Sequence, residues 1–399
     1  MDDRQTWTRE DKPSGEQHRH PPAPKLYQGL ERVPIENHVM GGSLFEYVAS
    51  KVHLDITRGQ LRRINIRGRY IRDPPTIVSA GEKTGKRFNY QRPTITTVDD
   101  SSIYLDCFPG RDYVQHYMAL VTSYYNLTTR VIPVIQYALP PQDAGMNLYL
   151  KSNLVSMGSV NTIIVGYVQH FEHLAHGAWE NGSGADVKLF AWKMIREDQG
   201  RNAALLGCMT SVWGDLAGQL IQALQQLNKV KCVLYIGKAG TLSPEYEPNQ
   251  FIATGSSSFL GDEPITWSNP FQSYLRLSPR IREGNHVTVV SPLIESKSWL
   301  IDWQTNCSWV DCEVGYMANS SNLGDTQFGY LHIVSDNIAV KFPYDLTDER
   351  AEAVLHDRSV CFGEIEIVLR AFLAMPSYAE VAAQPKLMKD DIDQLHSSD

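Results

Sequence analysis

Two carboxylates, Asp311 and Glu313, stand inside the apolar and aromatic run SWVDCEVGYM (308–317). A carboxylate taken out of water is costly unless hydrogen bonds or a cation satisfy it. A pair of them in such a run therefore predicts something for them to hold. A third acid, Asp336, follows Ser335 at the end of the apolar run in LHIVSDN (331–337). Strand ends are where ligands bind in α/β sheets, which makes Ser335 and Asp336 site candidates, although Ser-Asp after a strand is also a common helix N-cap. Lys238 lies between Gly237 and Gly240 in VKCVLYIGKAG (230–240). A glycine turn there would let main-chain N–H groups approach a ligand. The lysine either meets an anion or sits in solvent.

The elements that position these residues can be read from periodicity. After about residue 155 the chain alternates continuous apolar runs with helical patterns. VNTIIVGYV, AALLGCMTSVWG, VKCVLYIGKAG, HVTVVSPLI, SWVDCEV and GYLHIVSDN read as strands. DLAGQLIQALQQLNKV, with Leu216, Leu220, Leu224 and Leu227 at helical spacing, and CFGEIEIVLRAFLAM read as helices. Asp215 lies where an N-cap or first-turn acid is favoured. Strands apolar on both faces predict an α/β sheet covered on both sides. Its informative strand ends are Gly166, Ser211 to Gly214, Gly237 to Gly240, and Ser335 with Asp336.

Residues 26–150 read as a mixed α+β extension of unknown role. TIVSA, PTITTV and SIYLDCF are expected strands there, and DYVQHYMALVTSYYNL an expected helix. The basic stretch RGQLRRINIRGRYIR is read as a half-buried strand rather than a nucleic-acid arm. Residues 1–25 and 377–399 are polar and are expected to be disordered and flexible tails.

The 399-residue chain carries a formal net charge of −8, with 42% hydrophobic and 21% charged residues. That balance gives no footprint for nucleic acid or an anionic membrane. The six cysteines form no C-x-x-C pair and no Cys/His set with zinc spacing, so no metal is expected. Several lie in apolar runs, as free thiols in a reducing compartment do. No run of about 18 apolar residues predicts a membrane span, and the first residues lack the apolar core of a leader. A cytoplasmic protein is the expectation.

Five segments, in order, resemble the nucleoside phosphorylase and nucleosidase superfamily. They are NTIIVGYVQHFEHLAHG, GCMTSVWGDLAGQLIQAL, VKCVLYIGKAGTLSPEYEPNQFIA, VDCEVGYM and LHIVSDN, spanning about residues 158–375. The pattern is nearest to the methylthioadenosine/adenosylhomocysteine nucleosidases. The resemblance implies a three-layer αβα domain with a central mixed sheet over residues 155–376. It implies cleavage of the N-glycosidic bond of a purine nucleoside or nucleotide. Glu313 would accept hydrogen bonds from ribose hydroxyls, and Cys312, where the family has Met, would pack on the sugar. Asp336 would protonate the departing base. Ser211 would lie near the ribose, with Gly237, Lys238, Gly240 and Ser335 around the ligand. Glu172, one residue late in register, or His170 would activate water.

The chain departs from the family at Tyr235, where the phosphorylases carry an arginine for phosphate. That favours hydrolysis over phosphorolysis, with phosphate still a conceivable partner through Lys238. No cofactor is implied, and a homo-oligomer is. The alternatives are a non-catalytic nucleoside-binding module and a biosynthetic enzyme reusing the fold. The loop after residue 255 is expected over the pocket, with Trp267, Phe271 and Tyr274 as candidates to stack on a base.

Overall fold

The computed structural model describes residues 33–70, 87–128, 131–183, 185, 187–196 and 202–374. Both expected tails, the TIVSA strand and all of the first 32 residues lie outside these.

The first sheet has four strands, β1 (Arg63–Gly68), β2 (Thr94–Asp99), β3 (Ser102–Cys107) and β4 (Val134–Ala138), in the order β2-β3-β1-β4. β1 lies parallel to β3 and β4, while β2 runs antiparallel to β3. Two short helices, α1 (Leu44–Lys51) and α2 (Leu54–Arg58), precede it. Helix α3 (Arg111–Thr128) crosses from β3 to β4 and is the helix expected from DYVQHYMALVTSYYNL. In the basic stretch Ile64 and Ile66 are buried while the arginines beside them are not, so the half-buried strand is realised.

The second sheet contains β5 (Thr162–Gly166), β6 (Phe190–Arg196), β7 (Ala203–Cys208), β8 (Cys232–Thr241), β9 (Ile252–Thr254), β10 (Ser257–Leu260), β11 (Glu263–Thr266), β12 (Ile281–Glu283), β13 (His286–Thr288), β14 (Trp309–Asp311) and β15 (Gln327–Asn337). It is a mixed sheet. β8 runs parallel to β5 and β15 but antiparallel to β14. Successive side chains on a strand point to opposite faces, and both faces here are apolar. Ile163, Val165, Val233 and Tyr330 belong to one core; Ile164, Leu234, Leu331 and Ile333 belong to another. The first is covered by α4 (Ala144–Leu150), α5 (Asp215–Asn228) and α7 (Val314–Leu323), which follows the short helix α6 (Lys297–Trp303). The second is covered by α8 (Glu352–Ala374) through Cys361, Ile365, Val368 and Leu369. This is the three-layer αβα arrangement with a central mixed sheet. No described helix is long and apolar enough to cross a membrane.

Three features of this sheet create a site. First, β8 changes partner on one side: it pairs with β5 up to Ile236, opposite Gly166, then with β14 at Gly240 and Thr241. Gly166 sits at φ +103°, and a Cβ there would lie 1.9 Å from the Ile236 carbonyl oxygen, so only glycine ends β5 this way. Second, β15 carries a bulge at Ser335, where the register with β8 slips between Val334 and Asp336. Bulges re-aim side chains and are common beside active sites. Third, α3 and α5 meet at their N-termini. The Asp215 carboxylate accepts hydrogen bonds from the Arg111 and Asp112 N–H groups at 3.1 and 3.2 Å, and the Asp112 carboxylate accepts one from the Asp215 N–H at 3.2 Å. Asp215 is therefore the first-turn acid of its own helix and the cap of another. One continuous hydrophobic core joins the two sheets, with Leu105 and Leu120 in the same cluster as Leu220 and Met317.

Candidate active site

A cavity of about 270 Å³ lies where β8 changes partner. That is near the small end of the roughly 300–1,000 Å³ typical of ligand pockets. Its floor is formed by Gly237, Lys238 and Gly240 of β8. One side holds Cys312 and Glu313, and another holds Ser335 and Asp336. Ser211, after β7, lies at the rim toward α3. Glu313, Cys312, Asp336, Ser335, Ser211, Gly237, Lys238 and Gly240, all expected at the site from the sequence, thus share one hollow. The glycines do not form the expected turn, because β8 continues as a strand through Thr241. What Gly240 supplies is room: a Cβ there would come within 3.0 Å of Val310 and 3.3 Å of Asp336 Oδ2.

The two opening carboxylates divide the work. Asp311 is buried beneath the site. Its Oδ1 accepts hydrogen bonds from the Glu313 and Val314 N–H groups at 2.9 and 3.0 Å, capping α7. Thr288 Oγ1 accepts the next N–H, from Gly315, at 2.8 Å. His286 Nε2 lies 3.1 Å from Asp311 Oδ1, and His332 Nδ1 lies 3.5 Å from Oδ2. Burial pushes the Asp311 carboxyl up, but the two imidazoles and the helix N–H groups outweigh it and hold it below its ordinary value. Burial pushes His332 down to about 4.

Glu313, two residues on, faces the cavity. Burial, and then the neighbouring Asp311 charge, push its carboxyl well above the usual carboxylate range. The Tyr235 hydroxyl and the Cys312 N–H hydrogen-bond to it, and Lys238 lies close enough to moderate the shift.

Asp336 is inside β15, not at a helix start, so the N-cap reading falls. Ser335 Oγ donates to its Oδ1 at 2.7 Å. Burial raises its pKa against the pull of Ser335, Lys238 and Arg358. Lys238 is neither solvated nor idle, since it forms an ion pair with Glu349.

Glu172 is not brought into the cavity. Its carboxylate accepts hydrogen bonds from Arg87 Nη1 and Trp179 Nε1, each at 2.8 Å, on the half-exposed outer side of the turn after β5. The Trp179 hydrogen bond and the Arg87 charge hold it below its ordinary value, the wrong direction for a base poised near neutrality. The turn after β5 is a run of 3-10 helix (Val168–Leu174), which points Gln169 at the cavity and stacks His170 on Phe362 at 3.8 Å. The loop aromatics are also elsewhere. Trp267 packs on Phe328 and Tyr330, while Phe271 and Tyr274 pack on Phe372.

The aromatic wall comes instead from the N-terminal sheet and its helices. Tyr47 of α1 and Tyr113, His116 and Tyr117 of α3 line the cavity. His116 stacks on Trp213 at 4.1 Å, and its Nδ1 is 2.8 Å from Ser291 Oγ. Burial, and then the charges of Lys51 and Arg92, push His116 down to about 3. A further acid, Glu295, lines the cavity and is pushed well up by burial and by Asp336. Its signal was present in the sequence: it follows the apolar run HVTVVSPLI, just as Asp336 follows another. The α3 wall had no such signal, because its polar residues alternate with core residues on an ordinary helix. Among the described residues no group of three His, Cys, Asp or Glu side chains is placed to hold a metal ion.

No family model matches the chain, and no curated protein matches it. Among solved structures it is similar to the 5'-methylthioadenosine nucleosidase of Arabidopsis thaliana at 12% identity and a TM-score of 0.41, over 55% of this chain and 98% of that one. A uridine phosphorylase from Vibrio fischeri is similar at 12% identity and a TM-score of 0.41, over 55% of this chain and 92% of that one. The futalosine hydrolase of Helicobacter pylori is similar at 13% identity and a TM-score of 0.40, over 53% of this chain and 100% of that one.

Proposed function

We propose that this chain binds a nucleoside-like molecule in the cavity and cleaves its N-glycosidic bond. The observation that carries the reading is the meeting of Glu313, Asp336 and the open strand at Gly240 in one nucleoside-sized hollow. Asp336 would be the acid. Burial raises its pKa, the direction that favours the protonated form, and giving that proton to the departing base is typically worth about 10²–10⁴-fold. Ser335 fixes the carboxyl's orientation through its hydrogen bond. Glu313 would hold the sugar: Tyr235 and the Cys312 N–H engage its carboxyl, which retains capacity for a ribose hydroxyl. Cys312 offers the sugar a smaller apolar contact than methionine would.

Hydrolysis is favoured over phosphorolysis. The position at which the phosphorylases have an arginine is Tyr235, whose hydroxyl already serves Glu313. Glu172 is not available to activate water, so the base, if a side chain, is another cavity group such as Glu295. The outward placement of Glu172 also favours a second reading, binding without turnover. Six buried free cysteines support a reducing, cytoplasmic setting.

The test is incubation with purine and pyrimidine nucleosides and their 5'-monophosphates, with and without phosphate, while following free base. Release independent of phosphate is expected. Binding by calorimetry with no base released would establish the second reading, and a full rate in Asp336→Asn would remove the acid assignment.

A further inference from the structure

The cavity is lined by groups of opposite charge. Its acids include Glu295, Glu313 and Asp336, and its cations are Lys51, Arg92 and Lys238. Toward the N-terminal wall stands Arg92, which follows a segment laid along the end of β7. That segment is fixed by main-chain hydrogen bonds: Asn89 N–H donates to the Cys208 carbonyl at 2.7 Å, and the Tyr90 and Gln91 N–H groups donate to the Met209 carbonyl at 3.2 and 3.1 Å. Asn89 takes a left-handed conformation at φ 52°, which asparagine tolerates better than most residues.

The Arg92 guanidinium is held as well as placed. Its Nη1 donates to the Gln91 and Asn89 carbonyls at 2.9 and 3.0 Å, with Asn89 Oδ1 at 3.3 Å. These are neutral acceptors, so they orient the group without cancelling its charge. An arginine has five N–H donors in a fixed fork, and Nε and Nη2 stay outside these hydrogen bonds. Among the described residues no carboxylate lies within ion-pair distance of Arg92. The nearest candidate acid on its other side, Asp106, lines a small second hollow with Arg92 but is already taken by Arg67 Nε at 2.5 Å and Thr96 Oγ1 at 2.7 Å. Lys238 is engaged by Glu349. A charged, oriented and unneutralised fork on a cavity wall matches the two oxygens of a phosphate or carboxylate.

We propose that Arg92 forms an anion subsite in this cavity, so that the preferred ligand bears a phosphate- or carboxylate-type oxyanion at the end that meets Arg92. This rests on the nucleoside reading for the rest of the ligand but not for the anion itself. The oxyanion is either a substituent of the nucleoside or a free phosphate bound beside it. It places the chain's specificity on a residue of the N-terminal region, outside the segments that resemble the superfamily.

Binding of adenosine, adenosine 5'-monophosphate and inorganic phosphate to the whole protein, Arg92→Gln and Arg92→Lys, by calorimetry, tests it. Circular dichroism and the thermal midpoint serve as a folding check. If the anion is a substituent, the monophosphate binds more tightly than adenosine, and Arg92→Gln weakens the monophosphate by at least tenfold more than adenosine. A charge-assisted fork of this kind accounts for a loss of about 10- to 100-fold. If it is free phosphate, phosphate binds alone and is lost in Arg92→Gln, with no preference for the monophosphate. Arg92→Lys should fall between, keeping the charge and losing the fork. Phosphate binding that needs Arg92 in a protein that takes no nucleoside would keep the subsite and discard the nucleoside reading. The subsite is overturned if a folded Arg92→Gln binds both anions within twofold of the parent chain, or if the parent binds neither.

Discussion

The two walls of the cavity are built differently. The sheet wall gathers acids at strand ends: Asp336 at a bulge, Glu313 at the start of α7, and Glu295 after β13. Burial pushes all three carboxyls up. The N-terminal wall gathers aromatic rings, a neutral imidazole at His116 and the guanidinium of Arg92. Under the proposed function the first wall would move the proton and hold the sugar, and the second would select the ligand by shape and charge. The first is anchored by a sheet whose main-chain pairing fixes positions tightly, and the second belongs to another sheet that docks over it.

Substitutions should separate the walls. Asp336→Asn should lower the rate of base release by at least about 10²-fold with little change in KM. The parent rate should also fall as pH rises through the raised Asp336 pKa, where the acid loses its proton. An unchanged rate in the variant would reduce the sheet wall to a binding surface. Glu313→Gln should act mainly on sugar affinity, raising KM by about tenfold, the scale of one buried hydrogen bond. A kcat loss matching that of Asp336→Asn would show that the two acids act as one unit.

The docking of the walls can be probed at the α3–α5 junction. Gly214 has φ +58°, and a Cβ there would lie 2.4 Å from the Asp112 side chain. Gly214→Ala should cost about 1–3 kcal/mol in denaturant unfolding; a neutral result would mean the junction relaxes freely. The smallest effect is expected from Asp215→Asn. Burial and the Asp112 charge push Asp215 from 3.8 up to about 8. Between those values the folded chain keeps a proton that the unfolded chain releases, so its contribution to stability falls as pH rises from about 4 to about 8. The thermal midpoint of the parent should therefore decline more steeply over that window than that of Asp215→Asn. Parallel profiles would mean that folding does not raise the Asp215 pKa.

Much of the sheet wall was readable beforehand. Runs such as TIIVG and AALLGC lack alternation because both faces of their strands are covered, and that pattern needs no knowledge of partners. Glu313 and Asp336 announced themselves as acids among apolar residues. Glu172 misled because register along a turn is not encoded in composition: the 3-10 run after β5 rotates it outward to Arg87 and Trp179. The glycines of IGKAG suggested a turn, yet strand pairing with β15 and β14 carries β8 through them. Trp267, Phe271 and Tyr274 were plausible stacking residues until the packing of α8 and β15 claimed them.

By itself the sequence determined the main apolar strands, the helices α3, α5 and α8, and which acids would be short of water, because periodicity and polarity act over a few neighbouring residues. Only the tertiary structure decided that β8 changes partner at Gly240, that Ser335 bulges, and that α3 and Arg92 close the hollow from a distant part of the chain. Those outcomes depend on pairings and dockings between segments roughly 70 to 120 residues apart, whose energies no local pattern records.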